Sequence, residues 1–252
     1  MTEPIDPRQY HPAAHSHRDR VVMVTGAGDG IGRAVAIALA AQGATVLLLG
    51  RTPAKLEYTY DVIVKAGRPT PALLPFNLET AAADDYQALH DAVEKEFGRL
   101  DGLAHVAGIL GVLSPIEHFD VPTWCRALHV NLTAPFILTR TLLPLLKKSD
   151  DASIVFTSSS VGRSGRAYWG AYAVSKFGTE GLMQVLAHEM SDTTKVRVNS
   201  LNPGPVRTNM RLQAYPAEDR SRLPGPEAVV VPYLYLLGPD SRGINGEAFD
   251  CQ

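Results

Sequence analysis

The sequence predicts an α/β fold: a single doubly wound domain in which a mostly parallel sheet is covered by helices on both faces. Three observations predict it. Short β-branched or aliphatic runs alternate with longer helical patterns from residue 20 onward. The leading runs are apolar throughout, as strands buried on both faces are. Glycines cluster directly after the first run, where a strand must turn sharply into a helix.

The elements follow in order. Residues 21–25 read as a buried strand, and 31–42 as the helix beyond the glycines. A second strand covers 45–49, and a helix covers 53–65, with Pro53 suited to its first turn. Residues 72–76 form a weaker third strand. The helix over 84–97 ends at Gly98, a C-cap residue. A fourth strand is expected at 102–106, one long helix at 123–147 and a fifth strand at 153–157. The helix 172–190 precedes a sixth strand at 197–201. The last helix, 226–237, is interrupted by Pro232 and is followed by a short strand at 247–249. No repeat, linker or composition break divides 20–252, which is expected to be one dinucleotide-binding and catalytic domain. The polar, proline-bearing stretch 1–19 is expected to be a flexible arm.

Composition narrows the function classes. The chain has 252 residues, 45% hydrophobic and 20% charged, with a formal charge of −2. Its charges are scattered, so neither nucleic acid nor a membrane surface is expected as a partner. The most apolar stretch, 228–237, is well short of the ~18 residues of a membrane span. The N-terminus lacks an apolar signal core, and Cys125 and Cys251 have no metal or disulfide spacing, so a cytoplasmic location is expected. His11, His15 and His17 are read as part of the arm, and no metal is expected.

The first strand runs into Thr25-Gly26-Ala27-Gly28-Asp29-Gly30-Ile31-Gly32. Such glycines let backbone approach a pyrophosphate resting on a helix N-terminus. The spacing is neither G-x-G-x-x-G nor a Walker loop. A free ribose 2′-hydroxyl is usually met by an acid about twenty residues further on. Here Gly50 and Arg51 stand at the end of the second strand, and a guanidinium suits a phosphate. NADP(H) is therefore expected, with NAD(H) less favoured, although Asp29 would oppose a 2′-phosphate.

Tyr172 and Lys176 share one helical face at i, i+4. A free tyrosine has a pKa of about 10, and a nearby ammonium lowers it toward the range useful for proton transfer. Ser159 follows the fifth strand and can hydrogen-bond a carbonyl and its developing alkoxide. Asn131 precedes Pro135 by four, so its carbonyl loses its helical donor and is expected to hold a water linked to Lys176. The segment Asn202-Pro203-Gly204-Pro205-Val206-Arg207-Thr208 can wrap a nicotinamide, with Thr208 on its carboxamide.

Together these residues resemble the short-chain dehydrogenase/reductase family over 20–250. Thr25-Gly26-x-x-x-Gly30-x-Gly32 is similar to its cofactor loop. Asn131, Ser159, Tyr172 and Lys176 are similar to its catalytic tetrad, and Pro203, Gly204 and Thr208 to its nicotinamide segment. Within the family, the runs 156–163 and 169–172 resemble the YciK group of bacterial oxidoreductases. The resemblance implies a Rossmann-type sheet of about seven strands and hydride transfer between a carbonyl and an alcohol. It also implies a homodimer or homotetramer through helices 123–147 and 172–190. It assigns Gly26, Gly28, Asp29, Gly30, Ile31, Gly32, Arg51, Asn77, Leu78, Ala107, Gly108, Tyr172, Lys176, Pro203, Gly204, Val206 and Thr208 to the cofactor. Two departures stand out: His105-Val106 replaces the family's bracing asparagine pair, and Asn77 replaces the acid that meets adenine.

His105 is read as a structural histidine. Arg163, Arg166 and Trp169 lie at the mouth of the expected pocket and fit either an anionic or aromatic substrate or an interface. The charged stretch 210–223 is expected to form an open or mobile lid. The rival class is a catalytically silent dinucleotide-binding sensor or regulatory protein on the same fold, which would not need Ser159 and Tyr172 at this spacing.

Overall fold

A computed structural model describes residues 6–252. Seven strands form one sheet: β1 (Val21–Thr25), β2 (Thr45–Gly50), β3 (Ala72–Pro75), β4 (Gly102–His105), β5 (Ser153–Thr157), β6 (Arg197–Asn202) and β7 (Ala248–Asp250). Their order is β3-β2-β1-β4-β5-β6-β7, and every pairing is parallel. The winding reverses between β1 and β4, the point where such sheets open a crevice beyond their carboxyl ends.

Alternation of side chains along each strand divides the core into two layers. Val22, Val24, Val46 and Leu48 pack toward α1 (Gly30–Ala41), α2 (Pro53–Lys65) and α8 (Val230–Leu237). Met23, Leu47, Leu49, Leu103 and Ile154 pack toward α3 (Ala83–Phe97), α5 (Ala134–Leu146) and α6 (Gly170–Ser191). Both faces are thus covered, as the apolar strand runs require. Gly98 ends α3 at φ +73, in the left-handed conformation that a C-cap glycine supplies.

Buried charges brace the sheet's amino edge. Arg197 donates to Asp151 at 3.1 and 3.3 Å, and Arg20 donates to the same carboxylate at 3.0 Å. Asp101 accepts from the Val21 N–H, from Arg99 and from the Ser149 hydroxyl at 2.7–3.0 Å.

Three expectations change. The helix expected over 123–147 is α4 (Val121–Leu128), a π-helical turn (His129–Thr133) and α5. Pro135 offers no N–H to the Asn131 carbonyl, and at this place the ladder slips to i+5, with the Ala134 N–H donating to the His129 carbonyl. The last helix is likewise split. Pro226–Val229 is a 3-10 turn, and Pro232 falls in the first turn of α8, where no amide donor is needed.

The expectation of a flexible arm over 1–19 is corrected for 6–19; residues 1–5 lie outside the described residues. Tyr10 is buried, its ring 5.1 Å from that of Tyr235, and its hydroxyl donates to Asp240 at 2.7 Å. His17 is wholly buried, and burial lowers its pKa to about 4, so it packs as a neutral ring. The tyrosine and histidine give the segment apolar area that its prolines and charges conceal. No helix among the described residues is long and apolar enough to cross a membrane.

Candidate active site

The carboxyl ends of the central strands open onto a cleft of about 650 Å³. It is lined by Gly26, Gly28, Asp29, Gly30, Ile31, Gly32, Arg51, Asn77, Leu78, Ala107, Gly108, Tyr172, Lys176, Pro203 and Thr208. Gly204 and Val206 do not line it. Gly204 backs onto Gln252, and the Val206 side chain is buried in the core layer under α1.

The glycine loop is shaped by steric exclusion. Gly26 has φ +70, and a Cβ there would sit 3.0 Å from the Ala107 Cα. A Cβ on Gly32 would overlap the Gly26 carbonyl, so α1 can start against the strand only with glycine here. The bracing expected of asparagines is supplied by Thr25, whose hydroxyl accepts from the Val106 and Ala107 N–H groups at 2.9 and 3.0 Å. His105 turns away from the cleft: it is buried, stacked on Phe156 at 4.7 Å, and its Nε2 pairs with the Thr139 hydroxyl at 2.8 Å. Burial holds its pKa near 3, which fits the structural reading.

Ion pairs surround the end of β2. Asp29 caps α1 through the Gly30 N–H and is neutralised by Lys55, whose Nζ lies 2.6 Å from its Oδ2. The repulsion expected from Asp29 is thereby offset. Glu79 is gripped by the fork of Arg126 at 2.8 and 2.9 Å, so Arg51, 3.7 Å from Glu79 and exposed, is loosely held. Asn77 accepts from the Glu79 N–H at 3.1 Å and shapes the turn that carries this group.

The other half of the cleft gathers Tyr172, Lys176, Ser159 and Asn131, although the last two do not line it. Tyr172 and Lys176 project from α6, with Lys176 Nζ 5.7 Å from the Tyr172 ring centroid. Lys176 donates to the Thr157 carbonyl at 2.7 Å, and burial lowers its pKa to about 8, partly countered by Glu180. The expected lowering of the phenol is corrected. Burial pushes Tyr172 up to about 12, and the Ser159 hydroxyl beside it offsets part of that rise. In a dry site desolvation of the phenolate outweighs an ammonium at this distance.

Asn131 sits on the π turn. Its side chain accepts from the Ile109 N–H and donates to the Ile109 carbonyl, both at 2.8 Å, and so fixes the segment leaving β4. Its carbonyl, expected to hold a water, lies 3.4 Å from the Thr179 hydroxyl, whose single hydrogen has a shorter acceptor in the Ser175 carbonyl at 3.0 Å, so a lone pair stays free. Thr208 spends its hydroxyl capping α7 (Asn209–Ala214), accepting from the Arg211 N–H at 3.1 Å.

Several lining groups escaped sequence reasoning. Lys55 stands four residues after Arg51, a spacing that could have shown it. Ser158 is adjacent to Ser159, and its buried Oγ has no partner among the described residues while the residue lines the cleft. Arg126 and Glu79 are joined across 47 positions, and no local pattern announces that pair. The cradle of Gly26 and Gly32, the unpartnered Ser158 hydroxyl and the basic end of β2 fit a phosphorylated nicotinamide dinucleotide. Gly26, Gly30 and Ile31 would hold its pyrophosphate, and Arg51 and Lys55 its 2′-phosphate.

A parallel sheet with this strand order, a glycine cradle at its switch point and a buried tyrosine–lysine pair define a dinucleotide-binding oxidoreductase class. The chain belongs to the short chain dehydrogenase family, whose profile matches residues 20–219. It is 46% identical over 243 residues, 96% of each chain, to the Escherichia coli (strain K12) protein named uncharacterized oxidoreductase YciK. A Pseudomonas syringae structure of this family shares 55% identity at a TM-score of 0.96, covering 97% of this chain and 99% of that one. An Escherichia coli CFT073 protein solved in complex with NADPH shares 48% identity at a TM-score of 0.93, covering 96% and 100%.

Proposed function

We propose that this chain interconverts a carbonyl and an alcohol on a small-molecule substrate with NADP(H) rather than NAD(H). The observation that carries the reading is the meeting of Tyr172 and Lys176 in the cleft that also holds the glycine cradle, with the Ser159 hydroxyl beside Tyr172. The relative solved with NADPH and the basic pair Arg51 and Lys55 support the cofactor preference.

A bound nicotinamide supplies the hydride for reduction and accepts it in oxidation. Ser159 donates a hydrogen bond to the substrate oxygen and orients it. Tyr172, held near 12, is protonated at neutral pH and gives its proton to that oxygen as negative charge develops. Lys176 stabilises the phenolate left behind. Lys176 then passes a proton back to the phenolate, and a water that donates to the free lone pair of the Asn131 carbonyl returns a proton from solvent to Lys176. Alcohol oxidation uses the same groups in reverse.

The chain acts as a homodimer or homotetramer through α4, α5 and α6. Val174, Phe177 and Val185 are exposed at 46–58%, and with Gly181 they form one stripe along α6; Phe136 on α5 is exposed as well. Sedimentation is expected to return at least twice the monomer mass, and Phe177→Arg to return the monomer.

The test of the enzymatic reading is NADPH consumption by the purified protein against a panel of aldehydes and ketones. Turnover that disappears in Tyr172→Phe supports it. Tight NADPH binding without turnover across the panel would overturn it in favour of a sensor.

A further inference from the structure

Beyond Tyr172, two aromatic rings step outward from the cleft. Trp169 lies 5.8 Å from Tyr172, and Tyr215 lies 6.0 Å from Trp169, both tilted. Trp169 immediately precedes α6, and Tyr215 follows α7, so two separate segments meet to make this wall. Leu110, Val161 and Met210 supply its apolar floor. The backbone beneath is pinned. Tyr168 holds φ +72, a conformation side chains rarely adopt, and its carbonyl accepts from the Ser114 N–H at 3.0 Å. A non-glycine residue kept there is strained, and the surrounding contacts must offset that strain.

The arginines around this wall differ in one respect. Arg211 lies 3.9 Å over the Tyr215 ring, but its fork is closed on Glu218. Arg163 is closed on Glu180 and Asp250, both at 3.0 Å. Arg166 has no carboxylate partner among the described residues. Its Nη1 donates to the Tyr215 hydroxyl at 2.8 Å, and its guanidinium sits 5.9 Å from both the Trp169 and the Tyr215 rings. A guanidinium stacked in this way keeps its remaining donors aimed along one plane.

We propose that this wall is a substrate subsite, with Arg166 recognising a carboxylate on a planar or otherwise apolar carbonyl substrate whose reacting carbon lies at Tyr172. The inference rests on the oxidoreductase reading above and adds the substrate class. A single guanidinium matches a monoanion, and its planar fork matches the two oxygens of a carboxylate. Trp169 stacks the body between the two ends, so the carboxylate stands about one indole's breadth beyond the carbonyl. Alcohols of the same shape serve the reverse reaction.

The chain has two tryptophans, so Trp124→Phe leaves Trp169 as the single fluorescent reporter. In that background, 4-acetylbenzoate and its neutral methyl ester are titrated by fluorescence with NADPH absent, and assayed separately for NADPH consumption. The acid is expected to bind about tenfold more tightly than the ester, the worth of one charge-assisted hydrogen-bonded pair. Arg166→Gln should remove that difference, raising KM for the acid about tenfold with kcat changed less than about twofold, while Arg166→Lys recovers part of it. Equal affinity for acid and ester, no binding of either, or equal weakening of both by Arg166→Gln overturns the subsite. Selective binding of the acid, with no turnover of it or of any member of the aldehyde and ketone panel, leaves the subsite standing and overturns the oxidoreductase reading instead.

Discussion

The two ends of the sheet treat buried charge in opposite ways. At the amino edge every strong charge has a counter-charge: Asp151 takes Arg197 and Arg20, and Asp101 takes Arg99 with the Ser149 hydroxyl. At the carboxyl edge Lys176 is buried with a neutral carbonyl as its nearest acceptor, and Ser158 Oγ and His105 Nδ1 have no partner among the described residues. Arg20 Nε has no partner either, so the contrast lies in charge: an uncountered buried charge is costly, and a sheet whose charges are countered at one edge can carry that cost at the other. The difference teaches where to expect stability effects and where to expect activity effects, and the two should separate under mutation.

Tyr172→Phe is expected to have the largest effect. It should lower turnover by about 10²–10⁴-fold, the usual share of general acid–base catalysis, with NADPH affinity and melting temperature nearly unchanged. Steady-state kinetics beside calorimetry read this directly, and a large fall in melting temperature would erase the contrast between the edges. Asp151→Asn should do the converse. It strands two buried arginines, Arg20 and Arg197, and should cost about 3–5 kcal/mol in denaturant unfolding, the usual penalty for leaving buried charge unpaired. Turnover per folded molecule should stay within about twofold, since the edge lies across the sheet from the cleft.

Arg51→Asp should move the ratio of NADPH to NADH dissociation constants toward NADH by about 10–100-fold, the worth of one hydrogen bond to a charged group. Equal affinity of the unaltered protein for both cofactors would defeat the assignment. The smallest effect concerns pH. Lys176 is lowered to about 8, and the phenolate formed in reduction needs its positive charge, so kcat/KM for reduction should fall as pH rises through about 8. Glu180 raises the Lys176 pKa, so Glu180→Gln removes that support and should shift the falling limb to lower pH. A limb that stays in place would detach Lys176 from the profile.

The strand–helix order was legible because each strand run is apolar and each helix carries its own boundary signals, as at Gly98 and Pro53. The meeting of Tyr172 with Lys176 was legible because both sit on one helix face. The consequence of Pro135 was half legible. Its missing donor is written in the sequence, but the slip to a π turn and the Thr179 hydroxyl that meets the Asn131 carbonyl depend on α6 packing alongside. The segment 6–19 misled for a related reason. Its prolines and charges suggest solvent, yet two residues, Tyr10 and His17, find sites on α8 and the turn after it, and that suffices to anchor it.

By itself the sequence determined the alternating fold, the glycine cradle and the tyrosine–lysine pair that lines the same cleft, because periodicity and short spacings are local properties. Tertiary structure decided their chemical state. Whether Tyr172 lies above or below its ordinary pKa turned on burial against a distant ammonium. Whether Asp29 repels a phosphate turned on Lys55, 26 residues away. Whether Arg166 is free or paired turned on which carboxylates the neighbouring segments brought to it. Desolvation and charge pairing act through space, between residues whose proximity only the folded chain creates.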